Sequence, residues 1–360
     1  MKEVESMSFR KNSLITTIKT AFKVARFFIR GGYNKPIWGE GIFCDNVTDA
    51  VNKFRPNAKG FQKLKLKFQL TKEYVNRQVT PLEFFLYDFP KRTAIQKDNF
   101  LPDQWKDKLS MNATPLHLFK SELSDKYKFY TLNKEYFKRN AIRIDANTSL
   151  DEFEFFSKKE GKLFIKPING SYGRGAFIYN YDVCDVADTF NMLHSSNSTF
   201  IAEALIKQSD KMSEWNQSSV NTVRVPTILT SKGFYVMGCF MRTGRKGAVI
   251  DNAGGGGILA AIDESTGTVI SDGFDEEGRL HKIHPDSKKE YKGFQLPEWE
   301  SLLKVAERAH RGMPKHKYIA YDFAHTDNGW VLIEGNWGQF LSQFPTGIGL
   351  KDLWLKYMNE

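Results

Sequence analysis

Between residues 14 and 29 apolar side chains return every three or four positions. Leu14, Ile15, Ile18, Ala21, Phe22, Ala25, Phe28 and Ile29 make one stripe, Lys19, Lys23, Arg26 and Arg30 fall opposite, and Gly31-Gly32 follow. That spacing predicts a helix over residues 13–30, stopped by the glycines. Such a helix either packs its stripe on the rest of the protein or lies on an anionic membrane surface. From about 45 to 125 the helical period continues through FQKLKLKFQLTKEYVNRQV and LEFFLYDF. Thr80-Pro81-Leu82-Glu83 has the form of a capping box that opens the second of these.

After about residue 126 the period changes. A helix over LNKEYFKRNAI is followed by strands at 162–166 and 176–179, a helix at 182–194 and a strand at 199–204. Further strands are expected at 220–229, 233–241, 248–250, 258–262 and 268–270, then a helix at about 297–311. A hairpin of 318–325 and 330–334, turned at Asp327-Asn328-Gly329, closes the pattern. Strands meeting through tight turns predict an α+β protein with largely antiparallel sheets.

Composition narrows the partners. Formal charge is +10, from 52 basic and 42 acidic residues. The basic residues are dispersed and no recognition motif accompanies them, so nucleic acid is not the expected partner. A solvated basic surface or an anionic partner both fit. Three cysteines without a CxxC spacing fit a reducing compartment. No apolar run reaches membrane-spanning length, and no signal-peptide layout is present, so a cytoplasmic protein is expected, with peripheral contact at the inner membrane face through residues 13–30 as a second option. His281 and His284 are the one close histidine pair, and Pro285 beside them favours a loop over a metal pair.

Four constellations carry candidate chemistry. Lys166-Pro167-Ile168-Asn169-Gly170-Ser171-Tyr172-Gly173-Arg174-Gly175 joins two expected strands. Gly170, Gly173 and Gly175 let the backbone approach a ligand and offer N–H groups to phosphate oxygens, with Lys166 at the strand end to neutralise an inner phosphate. The loop lacks GK[ST] and a following helix, so it is no Walker A loop, and it opens a strand, so it is no dinucleotide fingerprint; a plain turn stays open. In YDFAHTDNGWVLIEGN, hairpin pairing sets Asp322 opposite Glu334, with Asn336 on the same face. Two carboxylates and an amide oxygen suit Mg²⁺ beside nucleotide phosphates, and surface charges paired with lysines are the alternative. Asp251-Asn252-Ala253-Gly254-Gly255-Gly256-Gly257 reads as a loop closing over substrate or as a spacer. Arg224 and Arg242, and the acidic Glu203, stand in apolar strands and require partners of opposite charge or hydrogen bonds.

In this order and spacing the motifs resemble the ATP-grasp superfamily, over about residues 126–345. The whole chain is similar to its sugar-transfer-associated family, through SVNTVRV, DNAGGGG and YDFAHTDNGWVLIEGN. The resemblance implies an ATP-grasp fold, two α+β subdomains (126–207 and 208–360) clamping ATP; the region 1–125 before them reads as mostly helical from its residues, with substrate binding and partner docking both open. It implies ATP and Mg²⁺ as cofactors, with Lys166 and an earlier lysine, Lys134, on the nucleotide together with Gly170, Ser171, Gly173 and Gly175. It places the adenine hinge at Glu203, Ala204 and Leu205 and the ribose-binding acid at Asp210. Asp322, Glu334 and Asn336 would be the metal ligands, Arg224, Arg242 and Lys166 the catalytic cations, and Asp251, Asn252, Gly254 and Gly255 the substrate loop. The implied activity is a carboxylate–amine ligase working through an acyl phosphate, on small-molecule or glycan-linked substrates of surface-polysaccharide synthesis. A phosphotransferase on a sugar or glycan, and a non-catalytic nucleotide-binding protein, are the alternatives. Many relatives carry Arg just before the metal-binding Asp; Tyr321 stands there in this chain.

Overall fold

The computed structural model describes residues 14–30, 46–105, 114–170, 173, 175–196, 198–248, 251, 256–337 and 340–360. The chain forms two compact units that part between Lys106 and Asp107. In the first, α1 (Leu14–Ile29), α2 (Val47–Phe54), α3 (Gly60–Arg77), α4 (Pro81–Leu86) and α5 (Ala94–Asn99) are helices. The capping box at Thr80 forms as its sequence demands: the hydroxyl accepts from the Glu83 N–H, and the Glu83 carboxylate accepts from the Thr80 N–H at 2.8 Å. The following aromatics, Phe84, Tyr87, Phe89 and Phe100, pack ring against ring.

Helix α1 departs from its expected two-sided pattern. Val24 is buried and Phe28 is half-buried, its ring 6.1 Å from that of Phe68 on α3. Phe22 and Ile29, expected on the same packed stripe, face outward beside the lysines. One neighbouring helix covers only part of a helix circumference, so the edges of a wide stripe stay outside.

The second unit carries two antiparallel sheets. A four-stranded sheet has the order β1 (Ala141–Ile144), β4 (Phe200–Ala204), β2 (Lys162–Pro167), β3 (Phe177–Asn180). Ahead of it lie a π-turn Phe119–Leu123 and helices α6 (Lys126–Leu132) and α7 (Lys134–Phe137). Helices α8 (Leu150–Glu160) and α9 (Val186–Ser195) close its core with Phe153, Phe156, Leu163, Ile165 and Leu193. The helix expected over LNKEYFKRNAI therefore ends early. Lys138 takes a left-handed conformation, and Ala141–Ile144 pairs with β4 as a strand because its β-branched residues find an edge to fill.

The larger sheet runs β10 (Leu280–His281), β9 (Gly273–Phe274), β8 (Ile258–Ala261), β7 (Phe240–Thr243), β5 (Thr222–Leu229), β11 (Tyr318–Thr326), β12 (Gly329–Asn336), with β6 (Phe234–Val236) also on β5. The expected single strand 233–241 divides into β6 and β7 at Gly238. That residue has φ +71°, and a Cβ there would meet Leu350 at 2.7 Å, so the chain must turn at glycine. Residues 268–270 make only isolated bridges, to Ile262 and Gln295. Of the expected strand 248–250, Val249 and Ile250 lie outside the described residues. A short α10 (Asp210–Ser213) precedes β5. Helix α11 (Trp299–Arg311) buries Leu302, Val305, Ala306 and Ala309 at helical spacing against β5 and β12. The β11–β12 turn works through Gly329 at φ +80°, and helices α12 (Gln343–Thr346) and α13 (Lys351–Met358) end the chain. No helix among the described residues is long and apolar enough to cross a membrane.

Candidate active site

Side chains on a strand alternate between faces, and β5, β11 and β12 use this to separate core from chemistry. Val223, Val225, Tyr321 and Phe323 are buried in the hydrophobic core. On the opposite face Arg224, Asp322 and Glu334 stand in register across the three strands. Between Asp322 and Phe323 the register slips by a bulge, so that Leu332 joins Phe323 inside while Glu334 stays opposite Asp322. Thr222, two residues before Arg224, pairs with Arg242 on β7 and extends the row.

Asp322 is the hub of this face. Its Oδ1 accepts from Arg224 Nε at 2.6 Å, and its Oδ2 from Arg224 Nη2 at 2.5 Å and Arg242 Nη2 at 2.8 Å. Burial alone would raise its pKa; the two guanidinium groups outweigh burial and hold it at about 2. Burial works to lower the Arg242 pKa, but Asp322, Asp251 and Glu334 raise it further above its usual value. Arg242 Nε also donates to Thr222 Oγ1 at 2.9 Å. Asp251, at the head of the glycine run, accepts from the Thr222 N–H at 3.0 Å and hydroxyl at 2.5 Å. Its own pKa is raised, chiefly by burial, with Arg242 opposing. Glu334 is half-buried and accepts from Asn336 Nδ2 at 3.1 Å. The half-buried charges that the sequence left without partners, Arg224 and Arg242, thus neutralise the carboxylate expected to bind metal.

The smaller sheet contributes a second charged group. Lys166, buried at the end of β2, sits 2.7 Å from Glu203 Oε1 on β4. Arg139 grips the other oxygen, Oε2, through Nε at 2.8 Å and through Nη2, and its Nη1 donates to the Leu332 carbonyl of β12 at 2.6 Å. Burial pushes Glu203 upward, yet Arg139 and Lys166 together bring it down to about 2. The N–H groups of Ala204 and Leu205 already donate to the carbonyls of Asn140 at 2.9 Å and Lys162 at 3.0 Å. A purine at this hinge would meet carbonyls or the backbone beyond Leu205, not these two donors. Asp210 is exposed in the first turn of α10.

Lys126 anchors the glycine-rich loop. Its Nζ donates to the carbonyls of Gly170 at 2.5 Å and Ile168 at 3.3 Å, which fixes the start of the glycine-rich loop. Burial lowers its pKa most; Glu334 and Glu203 pull upward and Lys166 downward. The link between the two sheets is Arg139, which holds Glu203 of β4 and the Leu332 carbonyl of β12, two residues before Glu334. Gly173 and Gly175 in the loop have φ +68° and +73°. Gly175 packs where a Cβ would stand 3.2 Å from the Pro167 ring, so this turn needs glycine twice over. Ser171 in this loop, and Asn252, Gly254 and Gly255 in the later one, lie outside the described residues, where Gly256 resumes at φ +83°.

Other expected members stand apart. Lys134 is exposed on α7 and has no ionic partner among the described residues. His281 bonds Asp275 at 2.8 Å and His284 bonds the Gly244 carbonyl at 3.0 Å, while Asp286 and Ser287 N–H groups use its other nitrogen. These two rings do not form a metal pair. Tyr321 points into the core on the far face of β11 from Asp322. The sequence reading passed over Lys126 and Arg139. Lys126 carried a signal: it is a cation in the first helical turn, directly after the Asp125 N-cap, where the helix dipole disfavours positive charge.

Two depressed carboxylates give a pH expectation. Asp322 and Glu203 each have a folded pKa near 2, below the usual 3.8 and 4.5. Their stabilisation is fully present above the unfolded values and fades as pH falls through the folded ones. Thermal stability should therefore drop steeply between about pH 4.5 and pH 2, as measured by circular-dichroism melting. In Glu203→Gln that acid limb should be shallower than in the wild type, and an unchanged limb would count against the pairing.

A family model described as sugar-transfer associated ATP-grasp matches residues 117–357. No curated protein matches the chain. Among solved structures the chain is similar to D-alanyl-alanine synthetase A from Vibrio cholerae, at 12% identity and TM-score 0.40, covering 66% of this chain and 64% of that one. It is also similar to D-alanine–D-alanine ligase from Bacillus anthracis (12%, TM-score 0.43, 71% and 75%) and to D-cycloserine synthetase DcsG (12%, TM-score 0.43, 71% and 77%). The chain thus spans just under two thirds of the first of these.

Proposed function

This chain belongs to the sugar-transfer-associated ATP-grasp family, and we propose that it is an ATP-dependent carboxylate–amine ligase acting on a precursor of a surface polysaccharide or on a sugar acid. The observation that supports this best is Arg139, which holds the Glu203 carboxylate beside Lys166 in one sheet and donates to the Leu332 carbonyl of β12, two residues before Glu334, in the other. A triphosphate needs cations on one side and a carboxylate-held metal on the other, and Lys166 on the smaller sheet with Glu334 on the larger one would supply them.

ATP-grasp enzymes generally use ATP with Mg²⁺, and the donor set here fits that ion. Glu334, Asn336 and Asp322 offer hard oxygens on neighbouring strands. Asp322 accepts three N–H bonds and so keeps one of the roughly four lone-pair sites of a carboxylate. When bound, Mg²⁺ would neutralise the triphosphate's charge and spread it off the β- and γ-oxygens.

The side chains of this chain would then do the following. Lys166 would turn from Glu203 to phosphate oxygens, and Lys126 would hold the loop that covers them. Arg224 and Arg242, pre-oriented by Asp322, would face the non-bridging oxygens of the transferring phosphoryl group. A carboxylate oxygen of the substrate bonds to the γ-phosphorus as the bond to the bridging oxygen breaks, and the electron pair leaves with ADP. An amine nitrogen next bonds to the acyl carbon, the bond to the phosphate oxygen breaks, and phosphate leaves while the nitrogen loses a proton. Water must be kept from the acyl phosphate, which is a task for the two glycine loops.

The test is to incubate the purified chain with Mg-ATP, candidate uronic and amino acids and hydroxylamine. The ligase reading expects a hydroxamate together with ADP. A stable phosphorylated product would instead establish a phosphotransferase, and ATP binding without ADP across all acceptors would establish a nucleotide-binding protein without catalysis.

A further inference from the structure

The first unit carries a surface that the ligase reading does not use. On α1 the exposed residues recur at helical spacing: Lys19, Phe22, Lys23, Arg26, Ile29, then Arg30 just past its end. On α3 the corresponding exposed row is Phe61, Leu64, Lys65, Phe68 and Lys72. The two helices pack together through Phe28 and Phe68, so the rows are neighbours. The apolar members are far from buried: Phe22 is 72% exposed, Ile29 85% and Phe61 81%.

Charge decides what such a surface meets. Helix α1 has no carboxylate, and the one acid of α3, Glu73, is buried and paired with Arg77. Neither row contains a negative charge. A protein-binding patch gathers its apolar residues into a core rimmed by polar ones. Here large apolar and cationic side chains mix along two neighbouring stripes, which lets rings enter the acyl boundary while the ammonium and guanidinium groups meet phosphates.

We infer that the outer face of α1 and α3 docks on an anionic lipid bilayer and holds the chain at a membrane surface. The proposal does not depend on the ligase reading. It is tested by co-sedimentation of the full chain with vesicles of phosphatidylcholine mixed with phosphatidylglycerol, against vesicles of phosphatidylcholine alone. Binding is expected to the mixed vesicles, weakening as salt is raised. Each of two double variants, Phe22→Ser/Phe61→Ser and Lys23→Glu/Lys65→Glu, should lower the partition coefficient by about tenfold or more. All four side chains are exposed, so the melting temperature by circular dichroism should stay near that of the wild type. If a double variant melts early, the single variants are compared in its place. The inference is overturned if the wild type ignores the anionic vesicles, if it binds neutral ones equally, or if both variants bind undiminished. It is also overturned if the surface proves to join two copies of the chain, seen as self-association in sedimentation that the variants abolish.

Discussion

Asp322→Ala is expected to cost the fold about 3–5 kcal/mol, besides ending any ATP-dependent turnover. The carboxylate is 1% exposed and meets Arg224 and Arg242, whose side chains are 11% and 12% exposed. Removing it leaves two largely desolvated guanidinium groups without this counter-charge, in the middle of the central strands of the larger sheet. Asp322→Asn keeps the shape and an acceptor, so it should be less damaging. Denaturant unfolding measures both, and an alanine variant as stable as the wild type would show that the two arginines do not depend on Asp322. The double variant with Arg224→Met should recover part of the loss, because it removes one of the stranded charges with its partner.

Glu334→Gln separates chemistry from folding. Glu334 is half-buried and accepts from Asn336 Nδ2, a hydrogen bond that a glutamine carbonyl can still accept. Stability should therefore change little. The negative charge that would grip the metal is lost, and turnover should fall by about a hundredfold or more, as when one preorganised charge-stabilising group is deleted. ADP release with the acid found by hydroxamate trapping measures the rate, and titration calorimetry of Mg-ATP measures the binding. Turnover at the wild-type level would remove Glu334 from the metal site. The contrast matters: neighbours in one row across the sheet, Asp322 should prove both structural anchor and ligand, and Glu334 a ligand whose loss the fold tolerates.

Much of this protein was legible from its residues. Short apolar runs bounded by turn residues gave the positions of β2, β4, β5, β8, β11 and β12 and with them the antiparallel sheets, while the helical period before residue 126 gave the helical first region. Local rules sufficed where a feature depends on near neighbours, as in the Thr80 capping box, the turn at Gly329 and the pairing of Asp322 with Glu334. The family resemblance rested on the same local motifs.

What needed the folded chain was every choice between partners distant in sequence. Glu203 asked for a counter-charge, but nothing near it in sequence shows that Lys166 and Arg139 both supply one. Lys126 outranks Lys134 because it reaches the Gly170 and Ile168 carbonyls, more than forty residues away along the chain, whereas Lys134 is exposed. Likewise, periodicity defines a stripe on α1 without saying how much of it a neighbour covers, and the packing leaves Phe22 and Ile29 outside. Backbone geometry and hydrophobic period act over a few residues and so can be read along the chain. Charge pairing and burial act through space, and only the tertiary arrangement fixes which groups come within a few ångströms of each other.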